Sequence, residues 1–350
     1  PLDDARVFQN VFANGNAIGV FQFESSGMRG MLKSIKPDAF EDLIALVSLY
    51  RPGPMKLIPD YARHKAGEAF EYMDKRLEPV LKETYGIFIY QEQVMKAAQV
   101  IAGYSLGGAD MLRRAMGKKK KEEMAEQRNI FREGAQKNGL TVEKADEIFD
   151  LMERFADYGF NKSHAAAYSL IAYQTGYLKT YYPAEFYTAF LDVEAEKSKT
   201  EKVEVLVKDA RKNGITLLPS DINDGNALFK IESKNEIRFG MAAMKGVKEW
   251  TIDVILKERE EKGKFKDFFD FCRRISTKKL GKAIIEKLIQ GGTFDSLEPN
   301  RAKLYDALGS IDTFLKKNKA EAKKVIDNKA IALENAELER AWERGEKPLN

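Results

Sequence analysis

The change of texture at Leu217-Leu-Pro-Ser-Asp-Ile-Asn223 constrains the fold of this chain most. Before it, apolar residues recur at helical spacing, and glycine and proline act as punctuation. After it come short alternating segments rich in β-branched and aromatic residues. Such a chain predicts a mainly α fold: a helical first domain with short extended segments, a small α+β module, and a C-terminal helix. The boundaries fall at 1–215, 216–299 and 300–350.

Within the first part, Ser25–Ser26 can cap a helix from Gly27 to about Lys36. Phe40–Leu49 carries Leu43, Leu46 and Val47 on one face, and Arg51-Pro-Gly-Pro54 must end it, because Pro52 pushes Arg51 out of the helical region. Ala17–Phe23 reads as extended, and Gly86–Tyr90 as a short strand or the lead-in to a helix Gln91–Ala102. Further helices are predicted over Lys121–Lys137, Val142–Asp157 with Thr141 as cap, Ala165–Tyr181, Ala184–Glu194 and Lys199–Asn213. In the second part, Ala227–Glu232 and Glu236–Phe239 predict a β-hairpin. Helices follow at Thr251–Glu261, Phe268–Ile275 and Ala283–Gln290, then a charged helix from Asn300 to Arg340 and a frayed tail.

Composition excludes several function classes. No apolar run approaches the roughly 20 residues that span a bilayer. The single cysteine, Cys272, rules out an internal disulfide framework and a cysteine-rich zinc site. Its neighbours Phe268-Phe-Asp-Phe271 make it a buried apolar residue, and a reducing cytoplasm is the expected location. A net charge of +4 is too weak to establish nucleic-acid binding. Clusters at Arg113–Lys121, Arg211–Lys212, Arg273–Arg274 and Lys278–Lys282 instead predict local basic surfaces. The first residues, Pro1-Leu-Asp-Asp4, read like a linker, so the chain is expected to be a piece of something larger. There is no Gly-x-x-x-x-Gly-Lys-Ser/Thr loop and no Asp-x-Asp. The pairs Asp3–Asp4, Glu41–Asp42 and Glu122–Glu123 read as solvent-facing, so no catalytic residue and no metal ligand is assigned.

Two constellations carry positive chemistry. Arg113 and Arg114 sit on a helical segment expected to open after Gly107–Gly108 and close at Gly117, and Lys118, Lys119, Lys120 and Lys121 follow. Paired guanidiniums suit polyphosphate or a nucleic-acid backbone, whereas the lysines also fit a solvated helix start paired with Glu122, Glu123 and Glu126. The second constellation is Gly159-Phe-Asn-Lys-Ser-His164. Asn161 or Ser163 can cap the following helix, whose free N–H groups and dipole favour an anion, with Lys162 and His164 beside it. Tyr173, Tyr177 and Tyr181 recur at i+4, and for the last two core packing is the expectation. His64 is expected at the surface. Met244-Lys-Gly-Val-Lys248 and Thr277–Ala283 are similar to tandem helix-hairpin-helix units, which present backbone N–H groups to phosphates without reading sequence. Lys248 stands where such hairpins often have a second glycine, and a module that only packs is the alternative.

At these residues the chain closely resembles the α subunits of bacterial DNA polymerase III, the replicative C-family polymerases. The resemblance rests on Gly19–Met28, Arg51–Pro54, Tyr85–Met95, Gly103–Lys120, Phe155–Ala167, Tyr181–Phe186, Leu218–Asn223 and Met244–Val247, and extends to about Leu308. It implies a fingers domain followed by a tandem helix-hairpin-helix module of a DNA-directed DNA polymerase. Arg113 and Arg114 would contact the dNTP triphosphate, with Asn161, Lys162, Ser163 and His164 lining the nascent base-pair pocket. Lys245, Gly246, Val247 and Lys248 would track duplex DNA, with Lys118 and Lys119 as further DNA contacts. Mg2+ would be held by a palm upstream of this sequence. Primer-template DNA and dNTP are the implied partners, with the sliding clamp and other replicase subunits reached through the full-length protein. After Lys316 no Gln-x-x-Leu/Met-Phe clamp-binding peptide is recognisable. The main alternative is a non-catalytic helix-hairpin-helix DNA-binding module.

Overall fold

The computed structural model describes residues 1–118, 121–156, 158–197, 200–275 and 280–322. They form two compact units, residues 1–181 and 182 onward. The two helices before residue 216 pack within the second unit.

The first unit is helical. A short α1 (Ala5–Val7) runs into a π-turn, Phe8–Phe12. Helix α2 (Ser26–Ile35) starts where expected, with the Ser25 hydroxyl accepting the Met28 N–H at 3.3 Å. It buries Met28, Met31, Leu32 and Ile35, spaced as one helical face. Helix α3 (Phe40–Leu49) has the predicted bounds. Its Asp42 is not solvent-facing: it is 1% exposed and accepts the N–H groups of Asp38 and Ala39, the Tyr61 hydroxyl at 2.9 Å and the Lys65 ammonium at 2.9 Å. Those bonds satisfy the start of α3 and tie it to α4 (Ile58–Lys65). His64 lies on α4 rather than free at the surface, with Nδ1 2.8 Å from the Tyr85 carbonyl oxygen and its ring stacked on Phe70.

Ala17–Phe23 is not extended. It folds into successive turns, with Val20 N–H on Ala17 O and Phe23 N–H on Val20 O, each at 3.0 Å. Gly19 and Gln22 take positive φ, which buries Val20 and Phe23 and leaves Phe21 out. After α5 (Glu78–Leu81), Gly86–Tyr90 makes only one parallel bridge, Tyr90 to Phe160, and is the lead-in to α6 (Gln91–Ala102). Helices α7 (Leu106–Lys118), α8 (Lys121–Lys137) and α9 (Val142–Ala156) pack with α6 around Val94, Ala98, Ile101, Leu112, Phe131 and Phe149. Helix α7 opens at Leu106, so Gly107 and Gly108 lie inside it rather than before it, and Gly117 stands in its last described turn. The face Ala109, Leu112 and Met116 is buried, and that burial outweighs the roughly 1 kcal/mol cost of an internal glycine. Thr141 caps α9 through the Lys144 N–H, at 3.2 Å.

Helix α10 (Lys162–Tyr181) begins three residues earlier than expected and crosses α3. Gly176 lets it approach Phe12. Of the tyrosine stripe, Tyr173 is in the core and Tyr177 is exposed, while the Tyr181 hydroxyl donates to Asp4 at 2.8 Å.

The second unit holds α11 (Pro183–Glu196) and α12 (Thr200–Lys212), which pack together, and a three-stranded sheet. Strands β2 (Lys230–Ser233) and β3 (Glu236–Arg238) form the expected antiparallel hairpin. Strand β1 (Thr216–Leu218) adds in parallel to β3, a pairing no local pattern announced. Helices α13 (Glu249–Lys262), α14 (Phe268–Arg274), α15 (Lys282–Gln290) and α16 (Arg301–Ala322) surround a core of Phe265, Phe268, Phe271, Leu288 and Phe294. Cys272 is buried beside them. Arg274 does not contribute to a basic surface. It donates to Glu258, Gly263 O, Lys264 O and Asp270, and lies 4.3 Å from the Phe265 ring centroid.

Candidate nucleotide and DNA interface

The start of α6 organises the first unit's polar site. The buried Gln93 side chain accepts the N–H groups of Ile89 and Tyr90 at 2.8 and 2.9 Å. Its amide donates to Val80 O and to the Thr84 hydroxyl. Those four bonds fix the backbone just before Gln91 and Glu92. Gln91 N–H donates to Phe160 O and Phe160 N–H to Ile89 O, each at 3.0 Å, so the loop before α10 is stitched to the same segment. A side chain on Gly159 would press on Gln91, with a Cβ 3.2 Å from its Cγ.

Both predicted anion sites converge here, and both already carry a carboxylate. The Arg113 Nε and Nη2 donate to Asp110 Oδ1 at 3.0 and 2.7 Å, and Nη1 reaches Gln91 Oε1 at 3.3 Å. Arg114 Nε pairs with Asp110 Oδ2 at 2.8 Å, and its side chain is 64% exposed. One carboxylate therefore holds two guanidiniums, and the Arg113 hydrogen bond keeps the Asp110 carboxyl below the usual carboxylate range.

At α10, Asn161 is the cap: its Oδ1 accepts the His164 N–H at 2.8 Å. The N-terminus expected to be open to an anion is instead held by Glu92, whose two oxygens accept the Lys162 N–H, each at 3.1 Å, and whose Oε1 accepts the Asn161 amide at 3.2 Å. The Lys162 ammonium pairs with Glu83 at 2.6 Å. Ser163 and His164 are exposed, and the His164 ring packs on Tyr168 at 4.3 Å. Arg51 completes the surroundings by donating to Tyr158 O at 2.7 Å and lying over the Phe160 ring, while burial lowers its pKa. A Cβ on Gly53, at φ +96°, would overlap the Tyr158 ring.

Sequence reasoning missed Gln91, Glu92, Asp110, Glu83 and Arg51 as members of this site. Asp110 stands at i−3 and i−4 from the two arginines, a spacing that signals helical ion pairs. Glu92 gave no such signal, since it is 70 residues from Lys162.

In the second unit, Lys245, Gly246 and Lys248 are exposed on a turn with Gly246 at φ +79°. Val247 differs from its neighbours: its side chain is 4% exposed and its N–H is spent on Met244 O, so it anchors the turn. Lys118 closes α7, and Lys119 lies outside the described residues, as do residues 276–279 of the second hairpin. Among the described residues, no group of three or more His, Cys, Asp or Glu could hold a metal ion, and no helix is long and apolar enough to cross a membrane.

Comparison with known proteins fits this arrangement. The family described as bacterial DNA polymerase III alpha subunit finger domain matches residues 1–139, and the helix-hairpin-helix motif matches residues 214–304. The DNA polymerase III subunit alpha of Neisseria meningitidis serogroup A is 51% identical over 92% of this chain. The chain belongs to the bacterial DNA polymerase III alpha-subunit family. The Vibrio cholerae and Escherichia coli K12 alpha subunits are 52% and 50% identical over 89% and 88% of the chain. The chain spans 27–28% of the length of these three relatives.

Proposed function

We propose that this chain supplies the nucleotide- and DNA-positioning part of a DNA-directed DNA polymerase. The observation that carries this reading is the convergence of Arg113 and Arg114 with the Asn161-capped start of α10 on the first residues of α6. The two guanidiniums gathered on Asp110 are the part of this site that takes a triphosphate, since the α10 start beside them already carries Glu92. Template-directed synthesis joins a primer 3′-hydroxyl to the α-phosphate of a dNTP and breaks its bond to the β-phosphate. The arginines stabilise the charge that grows on the leaving pyrophosphate, and positioning of this kind dominates phosphoryl transfer. His164 and Ser163, exposed at the start of α10, are the residues assigned in this reading to the base of the nucleotide and its template partner. Lys245 and Lys248, with the N–H of Gly246, take backbone phosphates of the duplex.

The reaction calls for Mg2+, but the described residues offer no carboxylate cluster that fits it, so no metal step is assigned to them. The isolated chain is expected not to extend primers. The sliding clamp and other replicase subunits belong to the same reading of the intact polymerase.

The test is Arg113→Ala with Arg114→Ala in the intact polymerase. A loss on the order of 10²-fold in kcat/KM for dNTP is expected, comparable to removing preorganised charge donors. Unchanged kinetics would remove the triphosphate assignment. A non-catalytic DNA-binding module is the second reading, favoured by the exposed Lys245–Lys248 turn. It predicts duplex binding by this chain together with nucleotide kinetics indifferent to the arginines.

A further inference from the structure

We propose that Lys287, on the helix after the second hairpin, forms with the first hairpin turn a composite subsite for one phosphodiester of a nucleic-acid backbone. The inference rests on the DNA-binding part of the function proposed above, and adds to it a residue outside both hairpin turns.

Three observations carry it. First, the Lys287 ammonium lies over Gly246: a Cβ on that glycine would collide with Lys287 Nζ. Helix α15 is locked there by its buried face, Ile285, Leu288 and Ile289, and by Gly291, where any Cβ would overlap the Met244 side chain. The lysine is thus delivered to the turn by packed elements. Second, the charge has no counter-ion. Among the described residues the Lys287 side chain makes no ion pair or hydrogen bond, whereas Lys282 on the same helix faces Glu286 at 3.7 Å. Lys245 and Lys248 likewise have no carboxylate partner among the described residues. An ammonium over a turn that carries two further lysines raises the local potential, and an anion relieves it. Third, the turn itself offers donors. Among the described residues the N–H groups of Lys245, Gly246 and Lys248 reach no protein acceptor, while the neighbouring Val247 N–H does. Three lysines and backbone N–H groups without a protein acceptor match phosphate oxygens, and the adjacent acids Glu249 and Glu286 pair with none of the three lysines among the described residues. Glycine at 246 then has two causes: its positive φ, and the room it leaves for Lys287.

The test measures binding of this whole chain to a fluorescently labelled duplex across a salt series. Lys287→Gln is expected to weaken binding about three- to tenfold near 0.1 M salt and to reduce the slope of log K against log salt by about 0.9. Lys287→Arg, which keeps the charge, is expected to restore the slope. Lys208→Gln, whose partner is Glu204 at 2.6 Å and which lies outside both hairpins, is expected to leave it unchanged. A wild-type slope in Lys287→Gln overturns the inference while leaving the hairpin reading intact, provided that Lys245→Gln with Lys248→Gln still weakens binding. No duplex binding by the wild-type chain overturns both. Inorganic tripolyphosphate displacing the duplex only in the presence of Lys287 would reassign the subsite from the DNA backbone to free nucleotide.

Discussion

Gln93→Leu tests whether the site depends on the four-bond network beneath α6. The side chain is 4% exposed, and leucine fills a similar volume, so packing changes little. What changes is hydrogen bonding. The N–H groups of Ile89 and Tyr90, on residues 4% and 2% exposed, lose their acceptor. The Thr84 hydroxyl keeps Leu81 O and Ile87 O and is not stranded. Two orphaned donors at about 1–3 kcal/mol each give a loss of about 4 kcal/mol. That is a large share of a typical stability of about 5–15 kcal/mol. For a unit of this size it corresponds to a fall of roughly 8–16 °C in Tm. Urea and thermal unfolding followed by circular dichroism would measure it, and tripolyphosphate titration would report the loosened Gln91 and Glu92. A loss below about 1 kcal/mol, with unaltered anion binding, would refute the reasoning, because the two N–H groups would then have another acceptor.

Three further outcomes are expected. Arg274→Ala should destabilise the second unit by about 1.5–3 kcal/mol in urea unfolding, since it removes the guanidinium shared by Glu258 and Asp270, which are 7% and 6% exposed and keep only Lys262 and Arg273 as charged partners. The same cluster sets an acid limit: burial raises the Glu258 and Asp270 carboxyls, but Lys262 and Arg274 on the first and Arg273, the Lys266 N–H and Arg274 on the second leave both below their ordinary 4.5 and 3.8. Their contribution is therefore complete above those ordinary values and lost as pH falls through the depressed ones, so unfolding midpoints should drop below about pH 4 and drop less in Arg274→Ala. Asp110→Asn should tighten tripolyphosphate binding and steepen its salt dependence by about one ion, as the arginine pair loses its internal anion; weaker binding at an unchanged slope would show that Asp110 acts only by holding the arginines in place.

The sequence by itself determined the parts governed by near neighbours. Helix α3 has the bounds its apolar face and the Arg51–Pro54 breaker predict, Ser25 and Thr141 cap as their hydroxyls suggest, and the β2–β3 hairpin forms where alternation and turn residues place it. The arginine pair and the Asn161 cap were legible for the same reason, because each depends on residues within one or two turns. Tertiary structure alone decided what those groups meet. It set Glu92 on the start of α10, buried Asp42 and Arg274, and brought Lys287 over Gly246. Charge in a sequence carries no sign of its eventual partner, since an ion pair forms wherever packing of apolar faces delivers two side chains, however far apart they lie along the chain.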